Sequence, residues 1–212
     1  MKSRLATLLE LLHTCPDGAL ATHSVAVAGY PFATALPFAT DQQHRPVFLI
    51  SRLAEHTLNL AADPRASLLV RIPLAEGEMA RATVVGPVQP IETEPLLVER
   101  YLRYQPDAER FLQLGDFRFF RMEPVQARII GGFAQAGWLE GERITGVSPR
   151  MTLGEEKVIL AALRTPAGVR LLGLDSLGLD VLAGSRRRLD FGELALASPA
   201  AAAQSALDAS PG

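Results

Sequence analysis

The stretch that decides the fold runs from Phe48 to Val70, FLISRLAEHTLNLAADPRASLLV. Two apolar runs, Val47–Ile50 and Ala66–Val70, have the length and composition of strands. The segment between them reads as a crossover helix from Arg52 to Ala62, stopped at Asp63-Pro64 because proline cannot continue a helix. Its start carries Ser51, Arg52, His56, Thr57 and Asn59. A helix N-terminus exposes unpaired N–H groups and the positive end of the helix dipole. It therefore suits an anion, and phosphate is the usual occupant. On this reading Ser51 is the N-cap and Arg52 lies in the first turn. His56, four residues later, shares a helix face with Arg52. The competing reading is local: Ser51 only caps, Arg52 and Glu55 are solvated, and His56 packs at the sheet edge.

The flanks extend the strand pattern. Lys2–Thr14 reads as an amphipathic helix, and Cys15-Pro16-Asp17-Gly18 as a turn. Ala19–Val27 is strand-like. Tyr30–Thr40 alternates with period two, which predicts a strand with Tyr30, Phe32, Leu36 and Phe38 on a core-seeking face. Its other face, Ala33, Ala35 and Ala39, is small enough for close approach to the backbone. Asp41–Pro46 is a hairpin loop. Beyond the crossover come strands at Arg65–Ile72 and Met79–Ile91, with a bend at Gly86-Pro87. A charged loop is expected at Glu76–Glu78. Helical segments follow at Thr93–Arg103 and Pro106–Leu114. A strand region from Asp116 to Ile130 is broken at Pro124. After Trp138 the character changes: a helix at Leu153–Leu163, short strands at Val169–Asp175, Gly178–Leu182 and Arg187–Phe191, and an Ala-rich helix at Ala197–Ala209.

Composition narrows the function classes. The chain has 212 residues, 48% hydrophobic and 21% charged, with 21 basic against 23 acidic side chains. A net charge of −2 argues against a dominant role on nucleic acid or a membrane surface. No apolar run approaches the roughly 18 residues that a membrane span needs. The single Cys15 forms no internal disulfide and no zinc cluster, so a reducing, cytoplasmic setting is expected and no metal site. Cys15 reads as a buried small apolar residue. Arg186-Arg187-Arg188 reads as a solvated charge run. His23, with Thr22 and Ser24, ends a strand without the spacing of a catalytic pair. Neither nucleotide fingerprint, GxGxxG or P-loop, is present.

Three stretches carry a family resemblance: GALATHSVAVAGYPFATALPFATD, LISRLAEHTLNLAADPRASLLV and GDFRFFRMEPVQARIIGGFAQAGWL. In this order, from about Leu5 to Leu139, the chain resembles the pyridoxamine 5'-phosphate oxidase-like FMN-binding split-barrel proteins. Among these it is closest to the haem-utilisation branch. LLGLDSLGLDVLAGSRRRL, Leu171–Leu189, resembles the small C-terminal domain that often follows this barrel. The resemblance implies an α+β fold: a split β-barrel flavin-binding domain over residues 1–140, a linker over 141–150, and a small C-terminal α/β domain over 151–212. It also implies a homodimer with FMN in a cleft between subunits. The matching phosphate positions are Ser51, Arg52, His56 and Thr57. Thr34 matches a position near the isoalloxazine, and Ser67 and Arg71 are further contacts. Gly132, Phe133 and Trp138 lie where a partner subunit would cover the flavin.

Two departures shape the functional reading. Oxidases of the wider family begin the crossover with an Arg-Lys pair, where this chain has Glu55-His56, so a titratable group replaces a fixed cation. Haem-utilising relatives draw an iron ligand from a C-terminal histidine, and here no histidine follows residue 56. The leading expectation is an FMN-dependent oxidoreductase acting on a small-molecule substrate, with the flavin carrying the electron chemistry. The alternatives are a haem-binding, haem-utilisation protein without flavin, and a cofactor-free binding or regulatory module.

Overall fold

The computed structural model of the chain describes residues 3–73, 79–131, 136–146, 151–192 and 198–210. The expected Glu76–Glu78 loop, Gly132, Phe133 and residues 147–150 of the expected linker lie outside these. The first element, α1 (Arg4–Thr14), is capped by Ser3, whose side chain accepts the Ala6 N–H. Leu8, Leu11 and Leu12 recur at helical spacing on one buried face. Next come β1 (Asp17–His23), β2 (Pro31–Pro37), β3 (Ala39–Thr40) and β4 (Pro46–Ser51), then α2 (Glu55–Ala62). The strands β5 (Arg65–Pro73) and β6 (Met79–Pro90) precede α3 (Pro95–Tyr104), a single 3-10 turn at Pro106–Ala108 and α4 (Glu109–Leu112). Then follow β7 (Phe117–Met122), β8 (Gln126–Gly131), β9 (Ala136–Glu140) and α5 (Gly141–Thr145). The C-terminal part contains α6 (Leu153–Ala162), β10 (Arg170–Leu174), β11 (Gly178–Ala183), β12 (Ser185–Asp190) and α7 (Pro199–Ala209).

Nine strands form one curled antiparallel sheet in the order β2-β1-β5-β6-β7-β4-β3, with β8 joining β6 to β9. This is the α+β split barrel expected from the sequence. The 12-residue β6 holds it together. Its first half pairs with β5 on one side and β8 on the other, and its last residues, Val88–Pro90, pair with β7. The bend falls at Gly86, where a Cβ would overlap the Glu123 carbonyl, so only glycine lets the two segments approach. Leu8, Leu11 and Leu12 of α1 fill the concave side against Leu20, Phe38, Phe48, Leu68, Val84 and Met122. A second core on the outer side packs Tyr101 and Leu97 of α3 onto Leu49, Phe119 and Leu172. That core carries the three-stranded β10-β11-β12 sheet, whose own core includes Leu174, Leu179, Phe191, Ala203 and Leu207.

Four local expectations are corrected. The crossover helix begins at Glu55, three residues later than read from the sequence, with Ala54 as an N-cap that makes no side-chain bond. Residues 52–54 instead form a turn, closed by the Ala54 N–H to the Ser51 carbonyl. The bulky face of β2 is only partly core: Leu36 is buried, but Phe32 and the preceding Tyr30 are exposed, because β2 is the edge strand. Gly141–Thr145, read as linker, is a helix whose Ile144 sits in the barrel core. The arginine run is not solvated, since Arg188 is buried against Asp175 and Asp180 at 2.7 and 2.9 Å. Arg186 donates to the Cys15 and Tyr104 carbonyls.

Glu156 of α6 is the polar anchor of the C-terminal part. Its buried carboxylate accepts from Arg100 and Arg103 of α3, from Gln42, and from the Leu174 N–H. Replacing it leaves the buried Arg100 guanidinium without its counter-charge, so Glu156→Ala should cost about 3–5 kcal/mol in urea melts. Cys15 is buried as expected, and burial pushes its thiol up to about 11. Because the folded-state value lies above the ordinary one, the folded thiol keeps its proton until pH rises towards that value. The native protein should therefore resist iodoacetamide at pH 8 and react only after unfolding. Its stability should begin to fall as pH rises through the ordinary thiol range, where the unfolded chain ionises first.

Candidate functional site

A cleft of about 480 Å³ opens between the end of β4, the turn before α2, and the α3–α4 corner. Leu36, Leu49, Ile50, Tyr101, Phe111 and Phe117 make its wall largely apolar. Ser51 and His56 border it, as do the exposed Asp107 and Arg110. Its size lies within the range of small-molecule and cofactor sites. Phe111 and Phe117 stack at a centroid distance of 4.9 Å, and the Arg110 guanidinium lies 4.7 Å from the Phe111 ring centroid.

His56 is the chemically unusual member. It is buried, and its Nε2 has no hydrogen-bond partner among the described residues. Burial lowers its pKa below that of a free imidazole, which keeps the ring neutral at pH 7 and leaves a ring nitrogen able to act as a lone-pair donor. An unsatisfied buried polar atom is costly, and such sites recur where a ligand completes the bonding.

The hydroxyls expected to meet a phosphate are already engaged. Ser51 Oγ donates to Asp116 Oδ2 at 2.5 Å and accepts the Leu53 N–H at 3.1 Å. Thr57 Oγ1 donates to the Ser51 carbonyl at 2.7 Å. The Asp116 carbonyl accepts the Arg52 N–H, while the Arg52 side chain is exposed. A carboxylate thus stands beside Ser51, and it would repel a phosphate there. Asp116 was not legible as a partner of this turn, being 65 residues away in sequence.

The other expected positions distribute over the chain. Thr34 lies on β2 two residues before Leu36, hence on the strand face that reaches the cleft. Its Oγ1 is buried without a hydrogen-bond partner among the described residues. Ser67 borders a separate groove with Thr22, His23 and Arg65. Arg71 is exposed on β5 opposite Arg81. Trp138 is exposed on β9, with the Arg128 guanidinium 5.7 Å from its ring centroid. Within the chain the structure therefore joins Ser51 and His56 at the cleft, with Thr57 tied to Ser51, and sets Ser67, Arg71 and Trp138 elsewhere. The sequence reading missed Phe111, Phe117 and Arg110. Two phenylalanines six residues apart, with an arginine beside the first, were the available signal.

The family model described as CREG, beta-barrel matches residues 6–144, about two-thirds of the chain. The chain belongs to this CREG beta-barrel family. It is 34% identical over 127 residues to the non-canonical heme oxygenase HOZ, chloroplastic, of Arabidopsis thaliana, a match covering 59% of this chain and 39% of the relative. The chain thus matches only about two-fifths of that protein's length. It is 27% identical over 128 residues to the heme oxygenase HutZ of Vibrio cholerae, covering 56% of this chain and 72% of the relative. Among solved structures, the protein Atu2129 of Agrobacterium tumefaciens superposes with a TM-score of 0.74 at 22% identity, covering 95% of this chain and 97% of that one. That likeness concerns the fold, and it extends through the C-terminal sheet. No helix among the described residues is long and apolar enough to cross a membrane.

The Asp116 contact yields a test of the turn. Asp116→Ala removes a charge-assisted acceptor from Ser51, an interaction worth about 1.5–3 kcal/mol. The variant should lose stability of that order in urea melts, and the loss in the double variant Asp116→Ala/Ser51→Ala should fall short of the sum of the two single losses, because the side chains share one bond and only the Leu53 N–H contact is lost in addition.

Proposed function

We propose that this chain binds haem in the cleft bordered by His56, as a haem-utilisation member of its family. The observation that carries this reading is the buried His56 Nε2, without a hydrogen-bond partner among the described residues, beside an apolar wall. A neutral imidazole nitrogen is the commonest protein ligand for haem iron. The apolar residues suit a porphyrin face, and the exposed Arg110 suits a propionate. The two heme oxygenase relatives support the same cofactor. When bound, haem would supply the iron chemistry. The chain's own residues would hold the iron at His56, exclude water with Phe111 and Phe117, and orient the macrocycle through Arg110.

FMN binding, with membership of the pyridoxamine 5'-phosphate oxidase-like superfamily, is the second reading. It rests on the split-barrel architecture and on the polar residues at the start of α2. The neutral His56 and the Asp116 carboxylate beside Ser51 give it less support than haem. A homodimer belongs to either reading: Val25, Val27, Tyr30 and Phe32 expose a run of apolar surface along the β1–β2 edge, and such patches mark association sites. The expected division into a barrel of residues 1–140, a linker of 141–150 and a C-terminal domain of 151–212 stays a proposal, with the barrel extended to take in Ile144.

Titration of the purified chain with ferric haem should give a ligated Soret band. His56→Ala should weaken binding by about tenfold or more, the equivalent of roughly 1.4 kcal/mol. His23→Ala, on the exposed end of β1, should leave it unchanged. Acidification through the lowered pKa of His56 should also abolish the ligated spectrum, because the protonated ring has no lone pair for iron. A yellow preparation that releases FMN on denaturation, with no haem affinity, would decide for flavin.

A further inference from the structure

Away from the cleft, three ligating side chains from distant parts of the chain converge in the interior. His13 ends α1, His44 sits in the β3–β4 loop, and Asp175 follows β10. All three are buried. His13 Nε2 and His44 Nδ1 are 3.0 Å apart, and Asp175 Oδ2 lies 4.0 and 3.8 Å from them. Asp175 Oδ2 has no hydrogen-bond partner among the described residues, although its side chain is only 1% exposed. Its other oxygen takes the Arg188 guanidinium and the Leu177 and Gly178 N–H groups. One carboxylate oxygen is thus satisfied and the other is left beside two imidazole nitrogens.

The surroundings select the form of His13 that a metal needs. His13 Nδ1 lies 2.6 Å from Asp180 Oδ2. Thr40 Oγ1 and Arg188 Nη1 also lie 3.1 and 3.2 Å from Nδ1, but the much closer carboxylate only accepts, so Nδ1 carries the proton and Nε2 presents its lone pair to His44 and Asp175. A carboxylate behind a ligating histidine is the usual outer arrangement of zinc sites. A point equidistant from the three ligand atoms at these separations lies about 2.1 Å from each, within the range for zinc bound to nitrogen and oxygen. Arg188 pairs directly with both Asp175 and Asp180, and Arg100 and Arg186 lie within electrostatic reach of the same carboxylates, so the site rests on its donor geometry and not on surplus negative charge.

We propose that His13, His44 and Asp175 form a buried site for a divalent transition cation, zinc-like in its preference, with Asp180 orienting His13. Two imidazoles and one carboxylate are a borderline-soft donor set that suits zinc over calcium or magnesium. The site is closed, so its role is structural. It clips the first helix and the β3–β4 loop to the C-terminal sheet, three segments separated by 31 and 131 residues. In the metal-free state the same groups hold one another by the His13–His44 hydrogen bond.

The test uses the full chain and zinc as the probe. Native protein is incubated with zinc, and in parallel urea-unfolded protein is refolded with zinc, which covers the case of a slow entry path. Both are dialysed, and metal content and melting temperature are measured. The expected result is one zinc retained per chain and a raised melting temperature. His44 has φ = 61°, a left-handed conformation that asparagine tolerates well. His44→Asn therefore removes the ligand without straining the loop. Asp175→Asn keeps the acceptor for Arg188 and the two N–H groups. Both variants should stay folded by circular dichroism and lose the retained zinc, whereas His23→Ala keeps it. If neither route leaves zinc on the wild-type chain, or if the folded His44→Asn and Asp175→Asn variants retain it in full, the proposal fails and the cluster is only a hydrogen-bond network.

Discussion

A charge withdrawn from water must find a counter-charge, and this constraint organises the middle of the molecule. Arg188 on β12 is buried between Asp175 and Asp180, and Asp180 in turn receives His13 of α1 and the Tyr104 hydroxyl of α3. Next to it, Arg100 of α3 is buried against Glu156 of α6. Isolated, each of these ions would carry a desolvation penalty of several kcal/mol. Joined, they dictate where the C-terminal sheet can sit, because apolar packing alone is non-directional and would tolerate many placements. The pairing is held at both ends of the chain, from residue 13 to residue 188.

This network also explains why the candidate haem cleft lies where it does. Arg100 and Tyr104 orient α3, and Tyr101 on the same helix then packs edge-on against Phe119. The α3–α4 corner follows, and it presents Phe111 beside Phe117 of the barrel. The buried ion pairs thus hold the helix that walls the cleft, while Arg100, Glu156, Asp175, Asp180 and Arg188 themselves do not line it. His56 reaches the same cleft from the opposite side, through the α2 crossover. The polar cluster and the cleft are separate places in the fold.

The change of emphasis from flavin to haem has a local physical cause. The phosphate argument drew on hydroxyls free to donate, a helix beginning at Arg52 and a His56 that donates a hydrogen bond, more strongly when charged. The turn at residues 52–54 moves the helix start to Glu55, Asp116 takes the Ser51 hydroxyl, and burial keeps His56 neutral. The same burial that weakens a phosphate site strengthens a nitrogen donor for iron. The haem-utilisation branch was already the nearest resemblance in the sequence.

Much of the architecture was legible from local pattern. The apolar spacing of Leu8, Leu11 and Leu12, the strand runs at Val47–Ile50 and Ala66–Val70, and the bend at Gly86 are short-range signals, each tied to a backbone preference or a periodicity. Residues 48–70 marked His56 as noteworthy for the same reason: a polar side chain in a tight crossover stands out against its neighbours. The contacts of Ser51, Arg188, His13 and Asp175 were not legible: Ser51 meets Asp116 65 residues away, His13 meets His44 and Asp180 31 and 167 residues away, and Arg188 meets Asp180 and Asp175, 8 and 13 residues off, only through strand pairing and a turn that local composition does not fix. Arg186-Arg187-Arg188 looked like a solvated run since like charges side by side ordinarily face water. Only the tertiary fold, by bringing Asp175 and Asp180 to one end of that strand, made burial of Arg188 cheaper than its exposure. By itself the sequence determined the elements and the chemistry available. Which groups meet, and in what charge state, was decided by the packing, because desolvation and pairing are properties of a place and not of a residue.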